Sequence, residues 1–178
     1  GFGYHVDIKK IYIEGISNIS YSDILYAKEM GYAIKLLAVS KLENNLLEIR
    51  VNPTLIPDRH LLSSVRGIHN AVYVRGDMVG EAIFYGEGAG QMPAASSVLS
   101  DIVDIAKGII SGSNYNRLNL FFNRTIKGLL PINEVESRYY MRFMAIDKPG
   151  VLARISGILG RKNISIASVS QKERKRAK

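Results

Sequence analysis

The sequence predicts an α+β chain: a mostly antiparallel sheet with helices on one face, followed by a small βαβ unit. Three observations carry that reading. Two strand-like runs, Tyr32 to Ser40 and Leu46 to Val51, flank a turn at Glu43-Asn44-Asn45. A second pair, Ala71 to Val74 and Val79 to Tyr85, flanks Gly76-Asp77. Near the end, Val151, Leu152, Ile155, Ile158 and Leu159 recur at helical spacing between two alternating runs.

Taken in order, residues 1–20 carry the alternating run Ile8 to Ile13 and read as the middle of something longer, with no initiator methionine. Ser20 and Asp23 stand at capping-box spacing, with Asp where Glu is usual, ahead of a short helix through Met30. Gly31 is a natural stop, since the residue after a helix commonly turns left-handed. Residues 52–58, with Pro53 and Pro57, are expected to leave the sheet because proline cannot donate to a ladder. After the second hairpin comes Gly86-Glu87-Gly88-Ala89-Gly90. Pro93 then opens a helix bearing Val98, Leu99, Ile102, Val103, Ile105 and Ala106, with Gly108 as its expected end. Residues 109–137 are poor in periodic signal and read as a linker with a short strand or turn. Tyr139 to Ile146 reads as a strand, Pro149 suits the first turn of the next helix, and Asp147 is placed to cap it. Gly160 is its expected end, and Asn163 to Val169 alternates as a further strand. The boundaries that follow are 1–108 with a return helix 93–108, a linker 109–137, and a small unit 138–178.

Composition narrows the function classes. At 178 residues and 47% hydrophobic the chain has material for one domain or two small ones. No run approaches a membrane-spanning length and no cleavable signal is visible, so a cytoplasmic setting without membrane partners is expected. The absence of cysteine excludes disulfides and thiolate metal sites. Net charge is +8, yet half of that excess sits in residues 172–178, with no aromatic residue interleaved to stack bases. A solvated terminal run, not a nucleic-acid site, is the expectation.

Candidate residues are few. Glycine at 88 and 90 lets a backbone approach a ligand closely, or simply makes a tight strand-to-helix turn. The Gly86-x-Gly88-x-Gly90 pattern is not a dinucleotide fingerprint, because Gln91 follows and no acidic residue closes a second strand about 20 positions later. Lys35 interrupts an apolar strand, but the alternation puts it on an exposed or interfacial face, so it is not expected to be catalytic. His5, His60 and His69 are too scattered for a metal centre. His60 reads as a solvent-facing turn residue. Most of the ten tyrosines fall on strands as packing residues.

A resemblance sharpens this. Glu14-Gly15-Ile16, Asp23-Ile24, Gly31 to Ala38, Asn52 to Pro57, His60-Leu61, Asn70-Ala71-Val72, Phe84 to Gly90 and Ser100-Asp101 together resemble the C-terminal part of a homoserine dehydrogenase. Asp147-Lys148-Pro149-Gly150-Val151-Leu152-Ala153 and its flanking runs resemble the opening half of an ACT domain, a unit that normally needs βαββαβ. One departure is Ala94 after Pro93, where the family usually has Thr.

The resemblance implies a piece of an oxidoreductase that interconverts L-aspartate 4-semialdehyde and L-homoserine with NADP or NAD. The Rossmann domain and a catalytic acid–lysine segment are expected upstream, so no catalytic residue is assigned here and the chain alone is expected to be inactive. It implies cofactor contact at Gly88 and Gly90. An amino-acid effector, threonine by family analogy, is implied at Asp147, Gly150 and Val151. A homodimer or higher homo-oligomer is implied through the sheet. The alternative is a non-enzymatic amino-acid sensor built on the ACT-like unit.

Overall fold

The computed structural model describes residues 2–112, 127–146 and 148–171. The chain forms two compact units, Gly1–Tyr139 and Tyr140–Lys178.

In the first unit, Asp7 caps a 3-10 turn over Ile8–Lys10 by accepting from the Lys9 N–H at 3.0 Å. The alternating run therefore gives only the two-residue strand β1, Tyr12–Ile13. Helix α1, Tyr21–Glu29, begins at the expected capping box and ends at Gly31, whose φ of +80° supplies the left-handed step. β2, Tyr32–Glu43, and β3, Leu46–Pro57, form a long antiparallel hairpin in register from Tyr32↔Pro57 to Glu43↔Leu46. Asn44 and Asn45 close it at φ +51° and +63°, the conformation a two-residue turn needs to match strand twist.

β3 does not leave the sheet at its prolines, contrary to the sequence expectation. Leu47 and Val51 direct their carbonyls to the edge away from β2, accepting from Leu130 N–H and Glu14 N–H at 2.9 and 2.8 Å. In a strand, N–H and C=O of one residue point the same way, and alternate residues agree. Pro53 and Pro57 share the parity of Leu47 and Val51, so their missing donors fall on that outer edge, where β1 pairs no further than Val51. The ladder to β2 loses nothing.

β1 and β6, Gly128–Leu129, both run parallel to β3 along this same edge, at Arg50–Val51 and Leu46–Leu47 respectively. β4, His69–Gly76, and β5, Gly80–Glu87, make a separate antiparallel hairpin from His69↔Glu87 to Gly76↔Gly80. α2, Gln91–Ile110, starts two residues before Pro93 and passes through Gly108. A mid-helix glycine is tolerated at modest cost, and Gly112, at φ +60°, makes the left-handed exit instead.

Among the described residues the covered apolar core is small: Ala27 of α1, Leu47 and Ile56 of β3. By contrast, Val98, Leu99, Ile102, Ile105 and Ile109 of α2 are all exposed. A helix this apolar and uncovered presents a surface suited to a further layer of protein. No helix among the described residues is long and apolar enough to cross a membrane.

In the second unit, α3 spans Val151–Arg161. It begins after Gly150, so Pro149 precedes the helix rather than opening it, and it runs through Gly160. Asn163, at φ +57°, takes the left-handed exit that Gly160 was expected to provide. Asn163 N–H bonds Gly160 O and Ile164 N–H bonds Leu159 O, each at 3.0 Å, which is a Schellman closure. The runs expected as strands, Tyr139 to Ile146 and Asn163 to Val169, carry no ladder among the described residues. In a split βαβ arrangement two such strands are not neighbours; each pairs with a strand from elsewhere in the fold.

Candidate functional site

The glycine-rich segment continues the β4–β5 hairpin. Beyond Glu87, the Gly88 N–H donates to Ile68 O at 2.8 Å and adds one rung. A Cβ on Gly88 would overlap the side-chain amide of Asn70, so a side chain at 88 would require Asn70 to move. Gly90 lies at φ +126°, ψ +154°, a region essentially restricted to glycine. It caps α2 without a side chain, and its carbonyl accepts from the Ala94 N–H at 3.1 Å. Pro93 has no N–H, leaving the Gln91 and Met92 amides without intrahelical acceptors at the positive end of a long helix.

Around this turn a cleft of about 270 Å³ is lined by Asn70, Val72, Phe84, Tyr85, Gly86 and Gly88 among others. Strand alternation places Asn70, Val72 and Val74 on one face with Phe84 and Gly86 from β5. Val72 and Phe84 are exposed on it, 61% and 67%. From the other face, His69 stacks on Tyr85 at 4.9 Å and 6° between planes. A side-chain hydrogen bond to Glu81, together with partial burial, pushes the Tyr73 phenol above its ordinary value. The cleft therefore offers an apolar wall beside a glycine turn, with Glu87 the carboxylate among its lining residues and two helix-terminal amides following the turn.

A second cleft, of about 400 Å³, had no signal in the sequence. It opens where β6 and β1 meet the same edge of β3 and diverge, with Glu48 and Arg50 among its lining and Lys9 and Lys10 contributed by the 3-10 turn. Glu48 accepts from Arg50 Nε at 2.8 Å and pairs with Lys41 at 3.6 Å, so its charge is already compensated.

Other candidates separate cleanly. Lys35 donates its ammonium to the carbonyl of Val65 and lies half-buried, a tie between β2 and the 3-10 turn Leu61–Ser64. His60 is not merely solvent-facing. Its Nδ1 accepts from the Leu62 N–H at 3.2 Å, capping that turn, and its ring lies 5.1 Å from Tyr73. In the second unit, Gly150 at φ +86° leads into α3 and offers no side-chain cap of its own, and the Val151 N–H donates to Lys148 O at 3.3 Å. Asp147 lies outside the described residues.

Comparison with known proteins decides the family. The homoserine dehydrogenase family profile matches residues 1–103, and the ACT domain profile matches residues 139–178. The chain belongs to the homoserine dehydrogenase family. A homoserine dehydrogenase of Neisseria gonorrhoeae is 43% identical over 174 residues, covering 96% of this chain and 40% of that protein. One from Pseudomonas aeruginosa is 43% identical over 175 residues, again 40% of its length. The crystal structure of a homoserine dehydrogenase from Thiobacillus denitrificans superposes with a TM-score of 0.75 at 38% identity, over 96% of this chain and 40% of that one. The chain thus spans about 40% of the length of the curated relatives it matches. Homoserine dehydrogenases are pyridine-nucleotide-dependent oxidoreductases.

Proposed function

We propose that this homoserine dehydrogenase segment serves the interconversion of L-aspartate 4-semialdehyde and L-homoserine with NAD or NADP, as the sheet-forming and regulatory part of a complete cytoplasmic enzyme. The observation that carries the reading is the family match over residues 1–103, more than half the chain. The glycine turn supports cofactor contact: Gly88 and Gly90 present bare backbone beside an apolar cleft, at the positive end of α2. When bound, the nucleotide supplies or accepts the hydride.

The segment's own residues bind and orient. The Gly88–Gly90 backbone allows close approach, Val72 and Phe84 exclude water, and the uncovered face of α2 docks on the nucleotide-binding part. The catalytic acid and lysine belong to that other part, so this chain alone is expected to give no turnover. Open sheet surface supports assembly as a homodimer or higher oligomer.

The ACT match favours regulation by an amino acid, with threonine first among the ligands to try. The start of α3 at Gly150 and Val151 carries the positive end of the helix dipole, which suits an amino-acid carboxylate.

The test is loss of reduced-nicotinamide absorbance on adding aspartate semialdehyde to the complete enzyme, with NADH and NADPH in parallel. No oxidation with either nucleotide overturns the oxidoreductase reading. Calorimetric titration of the same enzyme with threonine tests regulation. Binding heat accompanied by an unchanged rate would favour a sensing role apart from catalysis.

A further inference from the structure

We infer that the side-chain amide of Asn70 reads the carboxamide of a nicotinamide ring at the Gly88–Gly90 turn. This rests on the nucleotide reading above and extends it to a residue outside the glycine run.

Asn70 lies on β4, on the same face as Val72 and Phe84, and lines the cleft together with Gly88. Its carboxamide occupies the volume that a side chain on Gly88 would take, while Asn70 itself remains exposed to solvent. Its polar capacity is not used there. The Gly88 N–H is already given to Ile68 O, and among the described residues the Asn70 side chain takes no hydrogen bond. A primary amide has two donors and an acceptor with two lone pairs, and here they are left to whatever enters the cleft.

The cleft selects the occupant's chemistry. Val72 and Phe84 favour a flat apolar ring, which would lie beside the Asn70 amide that occupies the space next to Gly88. Glu87 on the rim disfavours a bare anion. A ring carrying a primary amide meets both demands, because two amides pair through complementary N–H···O bonds without net charge. A site built to hydrogen-bond a group discriminates strongly against an analogue lacking it.

The experiment is equilibrium binding to the complete enzyme, without turnover. Reduced nicotinamide nucleotide is compared calorimetrically with its 3-acetylpyridine counterpart, in which a methyl replaces the amide NH2. Asn70→Ala is expected to weaken the nicotinamide form about tenfold and the acetylpyridine form no more than about threefold, since only the former loses both hydrogen bonds. Asn70→Leu, which keeps the bulk against Gly88, is expected to give the same pattern. Equal losses for both nucleotides, or no loss, overturn the inference and leave the oxidoreductase reading standing. A wild-type enzyme that binds neither nucleotide overturns both.

Discussion

Ser20 and Asp23 hold each other across the first turn of α1. The Ser20 N–H donates to Asp23 Oδ2 at 2.9 Å, the Ser20 hydroxyl donates to the same oxygen at 2.6 Å, and the Asp23 N–H returns to Ser20 Oγ at 3.3 Å. Asp23 is only 5% exposed, and these donors are among the contacts that stabilise its carboxylate. Asp23→Ala removes the reciprocal cap of α1, the helix that carries the covered Ala27. The expected loss is about 1–2 kcal/mol of unfolding free energy, measured by urea denaturation. A change below a few tenths would show that α1 is held by packing alone.

The Glu48–Arg50 pair makes a stronger claim. Both side chains are nearly covered, 10% and 12% exposed, whereas Lys41 is 53% exposed and sits farther off. Glu48→Ala leaves a covered guanidinium without its carboxylate, and about 3 kcal/mol of destabilisation is expected. Lys41→Ala is expected to change stability by about 0.5 kcal/mol or less, because an exposed ion pair contributes little. Equal effects from the two substitutions would contradict the burial difference.

These elements also show what the sequence could reveal. The capping box, the Asn44-Asn45 turn and the β4–β5 hairpin were legible because each depends on a few adjacent residues with a local conformational preference. The continuation of β3 through Pro53 and Pro57 was not, since it turns on which edge of the strand lacks a partner. Gly108 and Gly160 were misleading for a related reason: Gly112 and Asn163 stood just beyond and made the left-handed exits. At the candidate site the glycines were visible, but Asn70, 18 positions before Gly88, was brought to them only by hairpin register.

Tyr12 gives a pH-dependent prediction. Its hydroxyl donates to Glu14 Oε2 at 2.8 Å, and that bond, ahead of slight burial and the glutamate's charge, raises the phenol above its ordinary 10.0. The folded state therefore holds this proton more tightly than the unfolded state. Its contribution is complete below the ordinary value and is lost as pH climbs through the raised one. In a spectrophotometric titration Tyr12 should ionise later than an unperturbed tyrosine, and Glu14→Gln should advance it. A titration curve identical in the two proteins would remove Glu14 as the cause.

Three glycines within five residues are expected to answer substitution differently. Gly86 has no atom within 4 Å of a built Cβ and no positive φ, so Gly86→Ala should leave the melting temperature nearly unchanged. At Gly90, alanine must adopt φ +126°, and a cost of order 1–3 kcal/mol is expected whatever the space around it. At Gly88 the obstacle is Asn70 itself, so Gly88→Ala should be destabilising alone and largely restored by Asn70→Gly in the same chain. No comparable restoration is expected when Asn70→Gly is combined with Gly90→Ala, because φ strain is not relieved by removing a neighbour. Thermal melts of the four single variants and two doubles check the pattern. Rescue of both glycine variants, or of neither, would show that Asn70 is not what keeps position 88 free of a side chain.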